Sequence, residues 1–248
     1  AASSANPPDM LVTNAGLGFA APLVVAKLIT PLDKYATQFG WDTRFPKAIL
    51  DQFRLQPDGL GWGSGSLYSI GIGASFVGLY YNRDLLTQLG LQLPTTWDEF
   101  KASLDAAKKA NLIPIAEGSQ DPTWTVIHLY TSWQDVVTPT QQINDFEFHA
   151  PGATFDTPEN LQAAQLSVQM VKDGYVDPNF LGKTNQAAIE DFIAGKALYY
   201  LEGTYFGYDY HLRHPLMERL FTICHRAYWR RNFTCDGLHH RNMDVDYH

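Results

Sequence analysis

The chain has 248 residues, 45% of them apolar and 18% charged, with 14 Pro and 19 Gly, a composition that excludes disorder for its bulk and fits one large or two smaller folded domains. A net charge of −8 offers no basic field for phosphate, so nucleic acid is set aside as a partner. No run of 18 apolar residues occurs, and residues 1–30 lack a basic start followed by an apolar stretch, so neither a membrane span nor an intact signal peptide is readable.

Met10–Val12 is a short apolar run after Pro7, Pro8 and Asp9 and before Asn14, which predicts a buried strand ending in a loop. A short helix is expected over Ala20–Ile29, closed by Thr30 and Pro31, and another over Pro46–Phe53 with Ala48, Ile49 and Phe53 at helical spacing. Residues 59–73 hold six glycines and read as a flexible, turn-rich connection. Phe76–Tyr81 is β-prone, and Asp84–Leu89 reads as a brief helix capped by Gly90. Thr96 and Glu99 form a capping-box pattern, and Trp97, Phe100, Leu104 and Ala107 then define one apolar helix face. Thr157 and Pro158 open a further helix whose inward stripe is expected to be Leu161, Ala164, Val168 and Val171, with Gly174 at its end. Ala188, Ile189, Phe192 and Ile193 mark another helix, closed by Gly195 and followed by a strand over Ala197–Leu201. Helices alternating with short strands predict an α/β fold.

The composition changes near residue 210. Residues 211–248 hold six of the nine arginines, six of the eight histidines, both cysteines and no lysine. Their balance is +2 against −10 for residues 1–210. No apolar period runs through this tail, so no packed element is expected there.

The sharp catalytic patterns are absent: there is no G-x-x-x-x-G-K-[ST], H-E-x-x-H, G-x-S-x-G or C-x-x-C. Gly71-Ile72-Gly73 does not complete a dinucleotide fingerprint, because Phe76 stands where the third glycine belongs. Asp121 with Glu202 is a conceivable glycosidase pair, whose decisive spacing is spatial. Aromatics are the better clue. Trp124, Trp133 and Tyr205 lie beside polar or glycine-containing segments, where a ring can cover the apolar face of a sugar while neighbouring groups take its hydroxyls. Core packing is the competing use of each such ring.

The run Val77-Gly78-Leu79-Tyr80-Tyr81-Asn82-Arg83-Asp84-Leu85-Leu86, then Gly90-Leu91 and Pro94 through Phe100, resembles the carbohydrate-binding solute-binding proteins of ABC importers, the family that includes the maltose-binding protein. Pro8-Asp9, Ala21-Pro22-Leu23, Leu28 through Asp33, and Phe192-Ile193-Ala194-Gly195-Lys196-Ala197 leading to Glu202-Gly203-Thr204-Tyr205 extend the likeness over residues 7–206. The resemblance implies a two-lobed periplasmic-binding-protein-like α/β fold, here incomplete. Residues 1–74 would be a partial lobe 1, 75–206 a partial lobe 2, and 207–248 a divergent tail. It implies a non-catalytic monomer that binds a sugar or oligosaccharide between the lobes for delivery to a permease, with no cofactor and no metal. It also implies a periplasmic or extracellular location, with any lipid anchor outside this chain. Carried over position by position, the ligand contacts fall on Asn14, Gly16, Gly18 and Phe19 after the first strand, on Ser75 in a crossing over Ile72–Ser75, on Asp121 and Trp124, and on Glu202 and Tyr205.

Against the family pattern, an opening strand and helix are expected to be missing before residue 1, which implies a marginal lobe 1 and a sounder lobe 2. The tail resembles no part of the family and reads as a frame error or misjoined fragment. Its alternatives are a zinc-binding module drawing on His211, His214, Cys224, His225, Cys235, His239 and His240, or a Cys224–Cys235 disulfide. The competing function for the body is a carbohydrate-active hydrolase using Asp121 or Glu202.

Overall fold

Backbone hydrogen bonds define the elements of the computed structural model, which describes residues 3–4, 6–13, 16–71, 77–120, 125–206 and, as backbone, 221–225. In chain order they are α1 (Leu17–Val25), α2 (Asp33–Phe39), α3 (Trp41–Arg44), α4 (Lys47–Asp51), β1 (Arg54–Leu55), β2 (Ser66–Leu67), β3 (Val77–Asn82), α5 (Arg83–Gln88), α6 (Trp97–Lys109) and β4 (Ile113–Ala116). There follow α7 (Thr125–Val137), α8 (Thr140–Glu147), α9 (Pro158–Lys172), a 3-10 turn (Phe180–Gly182), α10 (Asn185–Ile193), β5 (Ala197–Gly203) and β6 (Phe221–His225). The chain divides into two units, Ala1–Ala74 with Pro139–Phe155, and Ser75–Thr138 with Asp156–His248.

In the first unit, Met10–Val12 is not a strand: Met10 and Val12 are 88% and 84% exposed. Three apolar residues become a strand only where another strand offers ladder partners, and no strand of the described residues runs beside them. α1 starts earlier than the apolar pattern suggests, because Gly16 at φ 112° breaks the helix before Leu17, and Lys27 at φ 55° ends it. α4 buries Leu50, while Ala48 is exposed. The glycine-rich stretch is ordered where it is described. β1 and β2 pair antiparallel, and Asp33 fastens them to α2 by accepting from the Leu67 amide at 3.3 Å and from Arg54 Nη1 at 3.1 Å. Residues 139–155, which sequence alone places in the second lobe, belong with this unit. Phe148 packs edge-on against Trp62 at 5.1 Å, and a side chain on Gly63 would stand 2.5 Å from the Phe148 ring.

The second unit is built on a mixed sheet of order β4-β5-β3-β6, in which β5 runs parallel to β4 and antiparallel to β3. Every residue of β5 is buried, as expected for a central strand covered on both faces. Leu79, Tyr81, Tyr199 and Leu201 point into a core shared with α6, α7 and α9, and Tyr80 and Tyr200 point into a second one with α10 and Phe206. The capping box at α6 forms as its sequence predicts: Thr96 Oγ1 accepts the Glu99 amide at 3.2 Å and Glu99 Oε2 accepts the Thr96 amide at 3.1 Å, a device worth about 1 kcal/mol. Phe100, Leu104 and Ala107 are buried, as the stripe requires.

α9 is turned relative to its predicted stripe. Asn160, Ala163 and Met170 face inward, while Leu161, Val168 and Val171 are exposed. A hydrogen bond decides the rotation: Gln134 on α7 donates to Asn160 Oδ1 at 2.8 Å, and the small Ala163 on the same face lets the two helices approach. In the tail, β6 adds a strand to β3, pairing Tyr80 with Ile223. This is a paired strand that the missing apolar period did not announce.

A buried ionic knot closes the turn before α10. Lys183 bonds to both Asp177 and Asp191, and Lys196 Nζ reaches Asp191 at 2.8 Å. Burial alone would raise Asp191, but Lys183 and Lys196 outweigh it and hold its carboxyl below the ordinary value. Burial alone would lower Lys183, yet Asp177 and Asp191 hold it above the usual lysine value. The knot therefore stabilises the fold between the two ordinary values. Its carboxylate part is lost as pH falls below about 4, and its lysine part as pH rises past about 10.4.

Two outcomes follow. Lys183→Met, which strands the 2%-exposed Asp177, is expected to cost about 3 kcal/mol in urea unfolding at pH 7, and the gap to wild type narrows as pH falls below about 4, where the wild-type Asp191 carboxylate loses the stabilisation it draws from Lys183. The buried clusters of the first unit are small, Ala20, Val24 and Leu55 in one and Ala36, Leu50 and Leu67 in another. Hydrogen exchange at Leu50 and Leu67 is thus expected to be at least about tenfold faster than at Leu104 and Tyr199, and equal protection would refute this.

Candidate functional site

The end of β5 carries the best-defined polar cluster of the described residues. Glu202 is 2% exposed, so its oxygens need donors to offset lost hydration. Oε1 accepts the Gly203 amide at 2.8 Å and the Tyr205 hydroxyl at 2.5 Å. Oε2 lies 2.8 Å from the Tyr200 hydroxyl, whose single proton is shared with Asn185 Oδ1, also at 2.8 Å. Asn185 Nδ2 stands 3.5 Å from the same oxygen, and His128 Nδ1 lies 3.4 Å from Oε1.

Gly203 is required by this arrangement. A Cβ there would stand 2.1 Å from Tyr205 Cε1, so the ring lies back across the glycine. Tyr80 donates to the Gly203 carbonyl at 3.2 Å, and Phe206 packs edge-on against Tyr80 and Tyr200 at 4.8 and 5.2 Å. The outcome is an aromatic ring that is 42% exposed although its hydroxyl is tethered to a buried carboxylate. Burial first, then the Glu202 carboxylate, hold the Tyr205 phenol well above the usual tyrosine value, and the same causes act on Tyr200, with a further push from Glu117.

Glu117, fully buried, follows β4 directly. It and Glu202 thus stand at the carboxyl ends of two parallel strands, where open α/β sheets bind ligands. The chain beyond Glu117 is fixed by backbone: Ser119 donates to the Phe180 carbonyl at 2.7 Å and Gln120 to the Lys183 carbonyl at 3.0 Å, while a Cβ on Gly118 would collide with the Thr184 carbonyl at 2.3 Å. Beside this loop lies an open groove of about 610 Å³ whose lining includes Gln120, Asn179, Lys183 and Thr184.

Of the residues singled out by sequence, Glu202 and Tyr205 are brought together. Gly16, Gly18 and Phe19 lie at the start of α1 in the first unit. The Gly16 carbonyl accepts the Phe19 and Ala20 amides at 3.2 Å, nothing stands where a Gly18 side chain would be, and Phe19 is 46% exposed. Asn14, Ser75, Asp121 and Trp124 lie outside the described residues, as do the Ile72–Ser75 crossing and His211, His214, Cys235, His239 and His240. Cys224 and His225 are described in backbone only. Among the described residues no group of three or more His, Cys, Asp or Glu is placed to hold a metal ion, and no helix is long and apolar enough to cross a membrane. Trp133 does not face a cleft: it is 7% exposed and packs edge-on against Trp97 at 5.1 Å. Sequence reasoning passed over His128, Asn185 and Tyr200, whose roles depend on an approach across the fold that spacing does not encode.

Comparison with known proteins gives this geometry a setting. The "Probable sugar-binding periplasmic protein" of Mesorhizobium japonicum is 28% identical over 196 residues, 75% of this chain and 42% of that protein. The "Multiple sugar-binding protein" of Streptococcus mutans is 27% identical over 135 residues, 53% of this chain and 32% of that protein. The chain therefore spans less than half the length of these curated relatives. Among solved structures, a chitin oligosaccharide binding protein matches with a TM-score of 0.65 at 20% identity, over 80% of this chain and 47% of the other. A chain from a study of xylan utilization by Caldanaerobius polysaccharolyticus matches at 0.62 and 27% identity, over 76% and 45%. The fold is the α/β fold of the two-lobed solute-binding proteins, of which this chain holds a part. The pattern of the bacterial extracellular solute-binding proteins matches residues 1–215, and the chain belongs to that family.

Proposed function

We propose that this chain captures an uncharged sugar or oligosaccharide between two lobes, outside the cytoplasm, as the receptor of an ABC importer. It works as a non-catalytic monomer and takes part in no nucleic-acid chemistry. The observation that carries this reading is Tyr205: an exposed ring, fixed in place before any ligand arrives, suits stacking against the C–H face of a pyranose. Glu202 serves it as a positioning residue, since its oxygens already serve four groups. Asp121 takes sugar hydroxyls, Trp124 offers a second stacking face, and Asn14, Gly16, Gly18, Phe19 and Ser75 supply the rest of the contacts. The sugar-binding names of the relatives support the ligand class. Delivery to a permease follows from what such a receptor is for: ligand that favours a closed form lets a partner tell loaded from empty protein. Periplasmic or surface location belongs to the same reading.

Calorimetric titration of the chain against a panel of neutral mono- and oligosaccharides is expected to find at least one that binds and is recovered unchanged. Tyr205→Ala should weaken that sugar about tenfold. Gly203→Ala should do nearly the same by displacing the ring, and should let the Tyr205 phenol ionise closer to the ordinary tyrosine value in an alkaline absorbance titration. Sugar hydrolysis that disappears in Asp121→Asn would replace the receptor with a glycosidase.

A further inference from the structure

His128 sits in the first turns of α7, four residues after Trp124, and is 7% exposed. Its Nδ1 lies 3.4 Å from Glu202 Oε1, the same oxygen that accepts the Tyr205 hydroxyl and the Gly203 amide. Among the described residues it is the basic side chain within ion-pair range of this carboxylate. A carboxylate so deeply buried keeps its orientation only while donors surround it. Two of those donors, the Gly203 amide and the Tyr200 hydroxyl, come from β5 itself, and Asn185 comes from α10. His128 is the group that brings α7 within ion-pair distance of the carboxylate.

We propose that His128 is a positioning residue for Tyr205, acting through Glu202: the imidazole fixes Oε1 so that this oxygen can hold the Tyr205 ring across Gly203. The proposal rests on the reading that Tyr205 meets the sugar, but its mechanism is a property of the empty protein. Among the described titratable groups, Glu202 faces the imidazole from β5. Tyr200 and Tyr205 contact that carboxylate in turn, and Glu117 acts on Tyr200 from the end of β4.

The test compares His128→Leu, which keeps bulk without a donor, with His128→Asn, whose amide nitrogen stands where Nδ1 does, and with His128→Gln, whose longer amide takes the Nε2 position instead. With ring-¹³C tyrosine, the Tyr205 signal is assigned by its loss in Tyr205→Phe. It is expected to move in the Leu and Gln variants and to return to its wild-type position in Asn, while Tyr81 and Tyr175 stay where they are. An unmoved Tyr205 signal in the Leu variant overturns the proposal, as does a shift that Asn fails to rescue. If the Leu variant does not fold, the Asn and Gln pair decides by the same criterion. For the sugar that the panel identifies, His128→Leu should weaken binding about fivefold in wild type and leave it unchanged in the Tyr205→Phe background, and losses that simply add would refute coupling through the hydroxyl. If no sugar in the panel binds, the receptor reading fails, whereas the ring signal still decides the role of His128.

Discussion

A carboxylate with almost no contact with water, placed one residue before the end of a central strand, constrains everything around it. Glu202 can be there only because hydroxyl and amide donors from β5, from Tyr205 just beyond it and from Asn185 on α10 converge on it, with His128 Nδ1 of α7 3.4 Å away. β5 is buried along its whole length, so the carboxylate has a rigid support. The Tyr205 hydroxyl, once bound to Oε1, fixes a ring that would otherwise sample several rotamers on the surface. Gly203 completes the device by having no side chain where the ring must pass. The local order is thus set by desolvation: the cost of burying the charge is offset only in the arrangement that also orients the ring.

The parts of this that were legible in sequence are those encoded by neighbours along the chain. The α6 capping box, the Phe100, Leu104 and Ala107 stripe, and the strand leading into Glu202 depend on spacings of two to four residues, and they formed as expected. α9 shows where such reasoning stops. The face that is buried carries Asn160, which accepts from Gln134, twenty-six residues away, a contact that no spacing rule encodes. Hydrophobic counting favours the face that ended up in solvent. Met10–Val12 failed for a related reason, since a strand is a property of a pair and its sequence specifies only one member. At the site, Tyr205 could be found from its place after a β-prone run, but His128 could not. A lone histidine in a helix carries no mark of the carboxylate it will meet across the fold.

β6 makes the complementary point. It arises in the stretch whose composition departs from the rest of the chain, yet it pairs with β3 over five residues. Ladder bonds are made by main-chain groups common to every residue, so an unpaired strand edge accepts any extended segment of suitable length. The pairing therefore does not require that Phe221–His225 carry a pattern of its own. It requires only that β3 present an edge. This is why an absent apolar period did not forbid a strand, and why the strand by itself lends no chemistry to the cysteine or histidine within it.

The electrostatics around the groove bear on the class of ligand. Lys183, one of its lining residues, already faces Asp177 and Asp191, and Asp191 is shared with Lys196. Glu202 is likewise surrounded by donors. A charged ligand would have to break one of these pairs and leave a buried partner behind, a penalty of several kcal/mol. The groove leaves available the side chains of Gln120 and Asn179 and the apolar surface of Pro178, Leu181 and Ala187, and Tyr205, which is not among its lining residues, keeps an exposed ring face. Amides exchange hydrogen bonds with hydroxyls at little cost, and an exposed ring prefers a flat C–H face to water. The sugar proposed above, neutral and polyhydroxylated, would meet both conditions. An anionic or cationic ligand meets the second only by giving up more on the first.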